Sequence, residues 1–285
     1  MKKIFFLLWG LTYSAFASEY IPCTNSERMA STCFDCGETC VARYTTAMND
    51  DGTTKGTLTI SGTGDMDDTP YYVKNDNYRT SAPWQDIAGN IQSVVIEEGI
   101  TSVGERNFYR LAVQDVSFPE SLQKIGLGAF QQTDLRAVEL PSHLESVGHA
   151  AFATSYFDDL VVPESVLEAG THAFGSSTLK SLTIEGNLAF QKNMLFDSMS
   201  TISSQLNAIY CEKSNESCLN LLKDKDIGSK IKFYEPKGSQ YLYNGKFYAS
   251  PADIAGGNYA KKRIYTIDEA SSVAGKKNKV MLKYK

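Results

Sequence analysis

Five lines of 22 residues with the same apolar positions follow one another in this 285-residue chain. The lines start at Ile91, Val113, Leu135, Phe157 and Leu179 and align without an insertion. Further columns are Val94, Val116, Val138, Leu160, Leu182; Ile96, Phe118, Leu140, Val162, Ile184; Gly104, Gly126, Gly148, Gly170; and Phe108, Phe130, Phe152, Phe174, Phe196. A single globular core does not require apolar residues to recur at a fixed interval along the sequence, whereas a stack of equivalent rungs does. The period therefore predicts a solenoid.

Each line reads as a short strand followed by a turn. In the V-x-I pattern of Val94 and Ile96, alternate residues face the same way, which is the period of a strand. A proline such as Pro119 then ends the strand, because proline has no N–H to donate. Gly126 permits a tight turn, for which a positive φ is one route. Phe130 is expected to stack on the phenylalanine of the next line, so that stacked lines bury one continuous core.

The period and its fuller pattern, L-x-x-V-x-I-P-x-x-L-x-x-I-G-x-x-A-F, are similar to the BspA-like leucine-rich repeats of secreted and surface bacterial proteins. The resemblance covers residues 91–200. It implies a leucine-rich repeat solenoid that is β-rich with short helical turns, flanked by an N-terminal β cap and a small C-terminal α+β module. Line five departs from the pattern, with Lys192 at the glycine position, as expected of a capping repeat.

The segment before the repeats has the form of an N-terminal cap. "GTLTISGTGDM" at 56–66, followed by an "APW" that ends at Trp84, is similar to the module that often precedes such repeats. Trp84 is expected to plug the first rung. Asp65, Asp67 and Asp68 lack the spacing of an EF-hand loop, so a solvated turn is favoured over a calcium site.

Both ends of the chain differ from the repeats. The predicted divisions are a signal peptide at 1–17, a Cys-containing cap at 18–90, five repeats at 91–200, a C-terminal cap at 201–235 and a small basic α+β module at 236–285. In the last module, the sequence predicts a hairpin over 241–248, a helix that starts at the Thr266 capping box, and a closing strand near Val280. A short helix is also predicted within 214–223.

The start of the chain has the pattern of a secretory signal peptide. Lys2 and Lys3 precede an apolar stretch, and Ala15-Phe16-Ala17 forms a small-x-small cleavage site. No other stretch approaches about 18 unbroken apolar residues, so no transmembrane segment is expected. The chain is therefore predicted to be exported, to the periplasm, the medium or the cell surface.

Six cysteines in an exported chain favour disulfide bonds. They are Cys23, Cys33, Cys36, Cys40, Cys211 and Cys218. The local pair Cys211/Cys218 is expected to be bonded, with Cys23/Cys33 and Cys36/Cys40 as the pairing proposed for the rest, although connectivity stays open from sequence. Zinc is the alternative for the cluster between Cys33 and Cys40, but the second ligand pair of a zinc site is missing.

No constellation of catalytic residues is evident. The sequence has no phosphate-binding loop, no G-x-S-x-G and no H-E-x-x-H. His143 shares no repeat column with the other histidines, while His149 and His172 could approach each other on neighbouring rungs without a third ligand. Glu97 and Glu98 are consecutive strand residues and point to opposite faces. We therefore expect no enzyme activity, no metal and no cofactor.

The columns between the buried ones form the candidate binding surface, since they vary while the buried columns stay constant. In leucine-rich repeats such columns line an extended concave sheet. The candidates are Gln92, Ser93, Val95, Gln114, Asp115, Ser117, Arg136, Glu139, Asp158, Asp159, Lys180 and Thr183. They include no aromatic anchor. By family resemblance, the predicted function is adhesin-like binding of another protein or host matrix.

A carbohydrate-binding or cell-envelope scaffold is the alternative function, with the C-terminal module as its anchor. Residues 212–285 hold 15 lysines and arginines against eight acidic residues, a net charge of +7, within a chain whose total is −5. Such asymmetry is typical of a partner-binding tail, although a solvated surface is the simpler interpretation. Nucleic acid is not expected as a partner of an exported chain.

Overall fold

The structure is a computed structural model, and it describes ten stretches of the chain. These are residues 19–74, 77–189, 192–196, 203–206, 208–211, 232–235, 241–243, 246–248, 264–272 and 280–284. The predicted signal peptide, the helix predicted within 214–223 and Cys218 lie outside the described residues. The Cys211/Cys218 pair therefore stays a prediction.

Short strands dominate the described residues, as the repeat pattern predicts. They are β1 (Cys33–Gly37), β2 (Cys40–Met48), β3 (Thr54–Gly62), β4 (Gly64–Asp65), β5 (Tyr71–Lys74), β6 (Asn77–Thr80), β7 (Ser93–Ile96), β8 (Ile100–Val103), β9 (Asp115–Ser117), β10 (Lys124–Ile125), β11 (Ser146–Val147), β12 (Asp159–Val162), β13 (Glu168–Ala169), β14 (Ser181–Ile184), β15 (Ala208–Cys211), β16 (Lys232–Glu235), β17 (Tyr241–Tyr243), β18 (Lys246–Tyr248), β19 (Ile264–Ser272) and β20 (Val280–Tyr284). In the stretches that the structure describes, these strands are accompanied by one helix, α1 (Asn25–Met29), and two 3₁₀ turns, Gln85–Asn90 and Lys192–Leu195.

The first strand of each line contributes to what we call the front wall. β7 pairs in parallel with β9, and β12 pairs in parallel with β14. Partners are one repeat period apart, as in Ser93 with Asp115 and Asp159 with Ser181. β1, β2 and β3 extend the sheet of β7 and β9 on one side, while β15, β16, β19 and β20 extend the sheet of β12 and β14 on the other.

The second strand of each line forms the rear wall. Here β4, β8, β10, β11 and β13 make one five-stranded parallel sheet. Lys124 pairs with Ser102 on one side and with Ser146 on the other, again one period away. The two walls follow from the two apolar pairs in each line, because neither pair can be covered within its own line.

The phenylalanine column fills the space between the walls. Phe108, Phe130, Phe152 and Phe174 are all fully buried. Phe108 and Phe130 are stacked with ring centroids 4.9 Å apart, and Phe130 and Phe152 are stacked at 5.5 Å. These contacts confirm the stacking predicted for Phe130.

The repeat glycines are required by close backbone approach rather than by a positive φ. A Cβ on Gly148 would lie 2.6 Å from the carbonyl carbon of Gly126 in the preceding rung. The left-handed residues occur two positions later in each line, at Arg106, Gly128, Ala150 and His172, with φ between 54° and 62°. The backbones of neighbouring rungs are therefore in direct contact at the glycine, and any side chain there would clash with the backbone of the preceding rung.

Line five departs from the period by one position between Asn193 and Met194. The N–H of Phe152 donates to the carbonyl of Ala173, and an unbroken period would make Leu195 the corresponding acceptor for Phe174. The N–H of Phe174 donates instead to Met194, one position earlier. Leu195 therefore occupies the phenylalanine position and is 1% exposed. The assignment of Phe196 to that column was wrong, and its half-buried ring instead meets His172 edge-on.

The N-terminal segment continues the front wall and is pinned by disulfide bonds. β3 pairs in parallel with β7, and the antiparallel strands β1 and β2 follow outward from it. Disulfides join Cys23 to Cys33 and Cys36 to Cys40, with Cα atoms 5.6 and 5.1 Å apart. Both predicted pairings are confirmed, and these four sulfurs are not zinc ligands.

The strands after line five differ in one respect from the sequence prediction. β17 and β18 form the predicted antiparallel hairpin, and β20 is the predicted closing strand. The helix predicted to start at Thr266 is wrong, because Ile264–Ser272 is strand β19, paired with β16 and β20. The run Ile-Tyr-Thr-Ile is rich in β-branched and aromatic residues, whose preference for a strand prevails over the local capping pattern.

Candidate functional site

The histidines and acidic residues of the rungs do not assemble a metal site in the described part of the chain. His149 and His172 lie on neighbouring rungs with ring centroids 5.5 Å apart, as predicted, and no third metal-ligating side chain among the described residues joins them. Loss of hydration is the main cause that lowers the pKa of His149, followed by the charges of His172 and Arg106. His143 is placed elsewhere, with its Nδ1 3.3 Å from Glu120.

The acidic cluster before line one fastens the cap to the first rung. Asp65 accepts a hydrogen bond from the Thr101 hydroxyl at 2.7 Å, and Asp68 accepts one from the backbone N–H of Glu105 at 2.6 Å. Because these carboxylates are used by neighbouring donors, they fit the predicted turn better than a calcium site.

The predicted binding residues fall into three groups by exposure. Gln114, Asp115, Ser117, Arg136, Glu139, Asp159 and Lys180 are exposed, whereas Gln92, Val95 and Asp158 are half-buried. Ser93 and Thr183 are buried, at 8% and 3% exposure, and so do not belong to the open surface. Ser93 lies between β3 and β9, and Thr183 lies beside Tyr210 of β15. Strand alternation alone does not predict that these neighbouring strands bury the two residues.

Two carboxylates of the front wall form ion pairs with lysines on the same face. Lys55 Nζ lies 2.8 Å from Asp115 Oδ2, and Lys180 Nζ lies 2.6 Å from Asp158 Oδ2. Asp159 accepts a hydrogen bond from the Ser181 hydroxyl. Within the described residues, Glu139 has no ion-pair or hydrogen-bond partner, so it is the carboxylate available to a ligand.

The front wall is split at line three. β9 is the last strand of one sheet and β12 the first of the next, and residues 135–140 between them are not a strand. Arg136 N–H still donates to Gln114 at 3.2 Å, and Tyr156 N–H donates to Leu135 at 3.0 Å. Beyond Arg136, the described residues provide no backbone hydrogen bond to Ala137 through Leu140.

A cavity of about 220 Å³ opens at this split, and we call it the seam. It is lined by Asp115, Val116, Ser117, Phe118, Ala137 and Glu139. Val116 and Phe118 are half-buried, whereas their equivalents in line one, Val94 and Ile96, are buried. Asp115, Ser117 and Glu139 are among the predicted binding residues, but the sequence does not predict that a cavity joins them.

The composition of line three contains the signal for the split. Its strand position, residues 137–140, reads Ala-Val-Glu-Leu, with one β-branched residue. The same positions in lines one and five read Ser-Val-Val-Ile and Ser-Leu-Thr-Ile, and both are strands. Alanine and glutamate are depleted in strands, so this line has a weak preference for pairing.

Comparison with known proteins identifies the repeats. Residues 86–203 match the model of the BspA type leucine-rich repeat region in six copies, one more than the five lines read from the sequence. The repeat region therefore belongs to the BspA-type leucine-rich repeat family. No protein with a curated description matches the chain.

Several solved structures of bacterial leucine-rich repeat proteins are similar. A leucine-rich repeat protein from Eubacterium ventriosum is 22% identical over 75% of this chain and 64% of its own, with a TM-score of 0.40. One from Bacteroides ovatus is 19% identical over 68% and 48%, at 0.41. The pneumococcal vaccine antigen PcpA is 24% identical over 59% and 42%, at 0.41. The chain thus spans less than two thirds of the length of each.

None of the helices within the described residues combines the length and apolar content needed to cross a membrane.

Proposed function

We propose that this chain is an exported, non-enzymatic bacterial surface protein that binds another protein or host matrix through its front wall, as an adhesin does. Leucine-rich repeat proteins generally bind proteins, and stacked repeats provide extended surfaces for that purpose. The signal-peptide pattern at 1–17 supports export. Periplasmic, secreted and surface-retained forms are all compatible with it.

One observation carries the proposal: the exposed front-wall columns change from line to line while the columns beneath them do not. Outward residues run from Asp115 to Ala137 to Asp159, whereas the buried column stays Val, Val, Leu at the neighbouring positions. Packing therefore does not dictate the exposed residues, which leaves them free for recognition. Without an aromatic anchor, the interface is expected to be polar and of modest affinity.

The test measures binding of residues 18–285 to extracellular-matrix proteins and glycans at low and high salt. A variant with Asp115→Lys, Glu139→Lys and Asp159→Lys reverses three negative charges of the front wall. Its matched control, Asp50→Lys, Glu145→Lys and Glu168→Lys, makes the same change in net charge at exposed positions elsewhere. Saturable binding that only the front-wall variant loses supports the proposal. The proposal is contradicted if neither wild type nor the control binds, or if the front-wall variant binds as well as wild type.

The charge of residues 212–285 favours a second function, attachment to an anionic cell envelope. In this case Lys276→Gln, Lys277→Gln and Lys279→Gln should release the protein from envelope fractions, as should salt, because exposed charges are screened within about 8 Å at physiological ionic strength. The front-wall variant should remain attached. Envelope association that is insensitive to both salt and these lysines would exclude this anchor.

A further inference from the structure

The seam has backbone groups on both of its sides that can pair with another chain. β9 ends its sheet, so its outer edge faces line three rather than a paired strand. Ala137, Val138, Glu139 and Leu140 have no backbone hydrogen bond within the described residues. Backbone N–H and C=O groups that are not paired internally must be satisfied by water or by a ligand. An extended peptide satisfies such groups by adding a strand.

The cavity suits one or two side chains. Its volume of about 220 Å³ is below the roughly 300–1,000 Å³ of small-molecule sites. Its floor is apolar, because Val116 and Phe118 are half-buried there, and the edge of Phe118 rests on Phe130 at 5.5 Å between ring centroids. Such a floor favours an aliphatic side chain that the ligand inserts from the front.

The rims of the seam are acidic. Glu139 is exposed and has no cationic partner in the described part of the chain, whereas Asp115 already holds Lys55 at 2.8 Å. A basic side chain can pair with Glu139 directly and with Asp115 in place of Lys55. The two carboxylates would repel an anionic ligand, so a polyanion is not expected to bind the seam.

We propose that the seam binds an extended segment of the partner protein in which basic and aliphatic residues alternate. In an extended segment, successive side chains point to opposite sides, so aliphatic residues enter the cavity while neighbouring basic residues reach the rims. This inference rests on the proposed function and names the chemistry of its partner. The affinity comes mainly from backbone pairing and from the single apolar insertion.

The test uses a fluorescent Lys-Val-Lys-Val-Lys peptide and the whole chain 18–285, with anisotropy as the readout. A Glu-Val-Glu-Val-Glu peptide and an N-methylated version of the first peptide are the ligand controls. Saturable binding of the lysine peptide, weakened by high salt and absent for both controls, is expected.

Four variants locate the site. Ala137→Phe fills the cavity from an exposed position and should weaken binding at least about tenfold, since an apolar side chain loses its burial. Glu139→Gln should weaken it about two- to fivefold, which is typical of an exposed ion pair. Lys55→Gln frees Asp115 and should strengthen binding about twofold. Glu168→Gln, on the rear wall, is the matched control and should change nothing.

The outcomes separate this inference from the proposed function. Lack of peptide binding, equal binding of the glutamate peptide, or full binding by Ala137→Phe overturns the seam as the site. If the protein panel then still shows binding that the front-wall variant loses, the proposed function stands without the seam. If the peptide binds the seam but no protein of the panel binds, the seam is confirmed and the proposed function is contradicted.

Discussion

The indole of Trp84 is stacked on the ring of Phe108, with centroids 5.6 Å apart and planes inclined by 17°. The same stacking continues from Phe108 to Phe130 and from Phe130 to Phe152. Trp84 is fully buried, and its Nε1–H donates to the carbonyl of Asn107 at 2.9 Å. A residue upstream of line one thus takes the place that the phenylalanine of an earlier rung would have, and it closes the core at that end.

Replacing Trp84 should therefore destabilise the whole chain. Trp84→Ala removes a fully buried ring and is expected to cost about 3–5 kcal/mol of unfolding free energy. Trp84→Phe keeps an aromatic ring but loses the hydrogen bond to Asn107, at about 1 kcal/mol. Urea unfolding of residues 18–285, followed by far-UV circular dichroism, measures both.

Met48→Ala provides the control for Trp84, because Met48 is 80% exposed. It should change the unfolding free energy by less than about 0.5 kcal/mol. If Trp84→Ala costs no more than Met48→Ala, Trp84 does not close the core.

The period predicts most of the fold because one contact is repeated many times. Val94, Phe108 and Gly126 each represent a column of equivalent residues. An irregular residue in one line therefore does not hide the pattern that the other lines share. The period does not predict the shift at Met194, because Phe196 fits its column and the hydrogen bond from Phe174 to Met194 is what reveals the change of register. Thr266 fails for another reason: a local capping pattern is weaker than the pairing of a whole strand.

The front wall was predictable only in part. Alternation correctly places Asp115 of β9 outward, since that depends on a single strand; Glu139 is exposed as well, although its segment forms no strand. Burial of Ser93 and Thr183 depends on adjacent strands that the sequence does not identify as neighbours. The position of the seam depends on which line has the weakest preference for strand pairing. The repeat pattern shows what the lines have in common, so it does not reveal this difference between them.

Gly148→Ala tests the close approach of the rungs. The added Cβ would lie 2.6 Å from both the carbonyl carbon of Gly126 and the amide nitrogen of Leu127. Because both are backbone atoms, the rungs must move apart, at a cost of about 1–3 kcal/mol in unfolding free energy. Gly89→Ala is the matched control, since no atom lies within 4 Å of its added Cβ and its φ is not positive. Equal unfolding midpoints for the two variants would contradict this account.

Tyr109 should make stability depend on alkaline pH. Burial, followed by its hydrogen bond to Tyr71, raises the pKa of Tyr109 from 10.0 to about 12. The fold therefore favours the neutral phenol. Its contribution is fully present below pH 10 and is lost as the pH rises towards 12, because the unfolded chain ionises first.

Thermal unfolding across the alkaline range, from below pH 10 towards pH 12, measures this effect. The unfolding temperature of wild type should fall more steeply with pH than that of Tyr109→Phe, which has no phenol to ionise at this position. Tyr72→Phe, at a position that is 45% exposed, should keep the wild-type slope. Parallel curves for wild type and Tyr109→Phe would show that the ionisation of Tyr109 is not linked to folding.

The one-position shift in line five leads to opposite expectations for two adjacent side chains. Leu195 is 1% exposed and takes the phenylalanine position, so Leu195→Ala should cost about 2–5 kcal/mol of unfolding free energy. Phe196 is half-buried and its ring lies edge-on to His172, at 6.1 Å between ring centroids, so Phe196→Ala should cost less than about 1.5 kcal/mol despite removing more atoms. Chemical denaturation of the two variants decides between the registers. A larger loss for Phe196→Ala would restore the uninterrupted period, because the deeper side chain must be the one whose removal leaves the larger cavity.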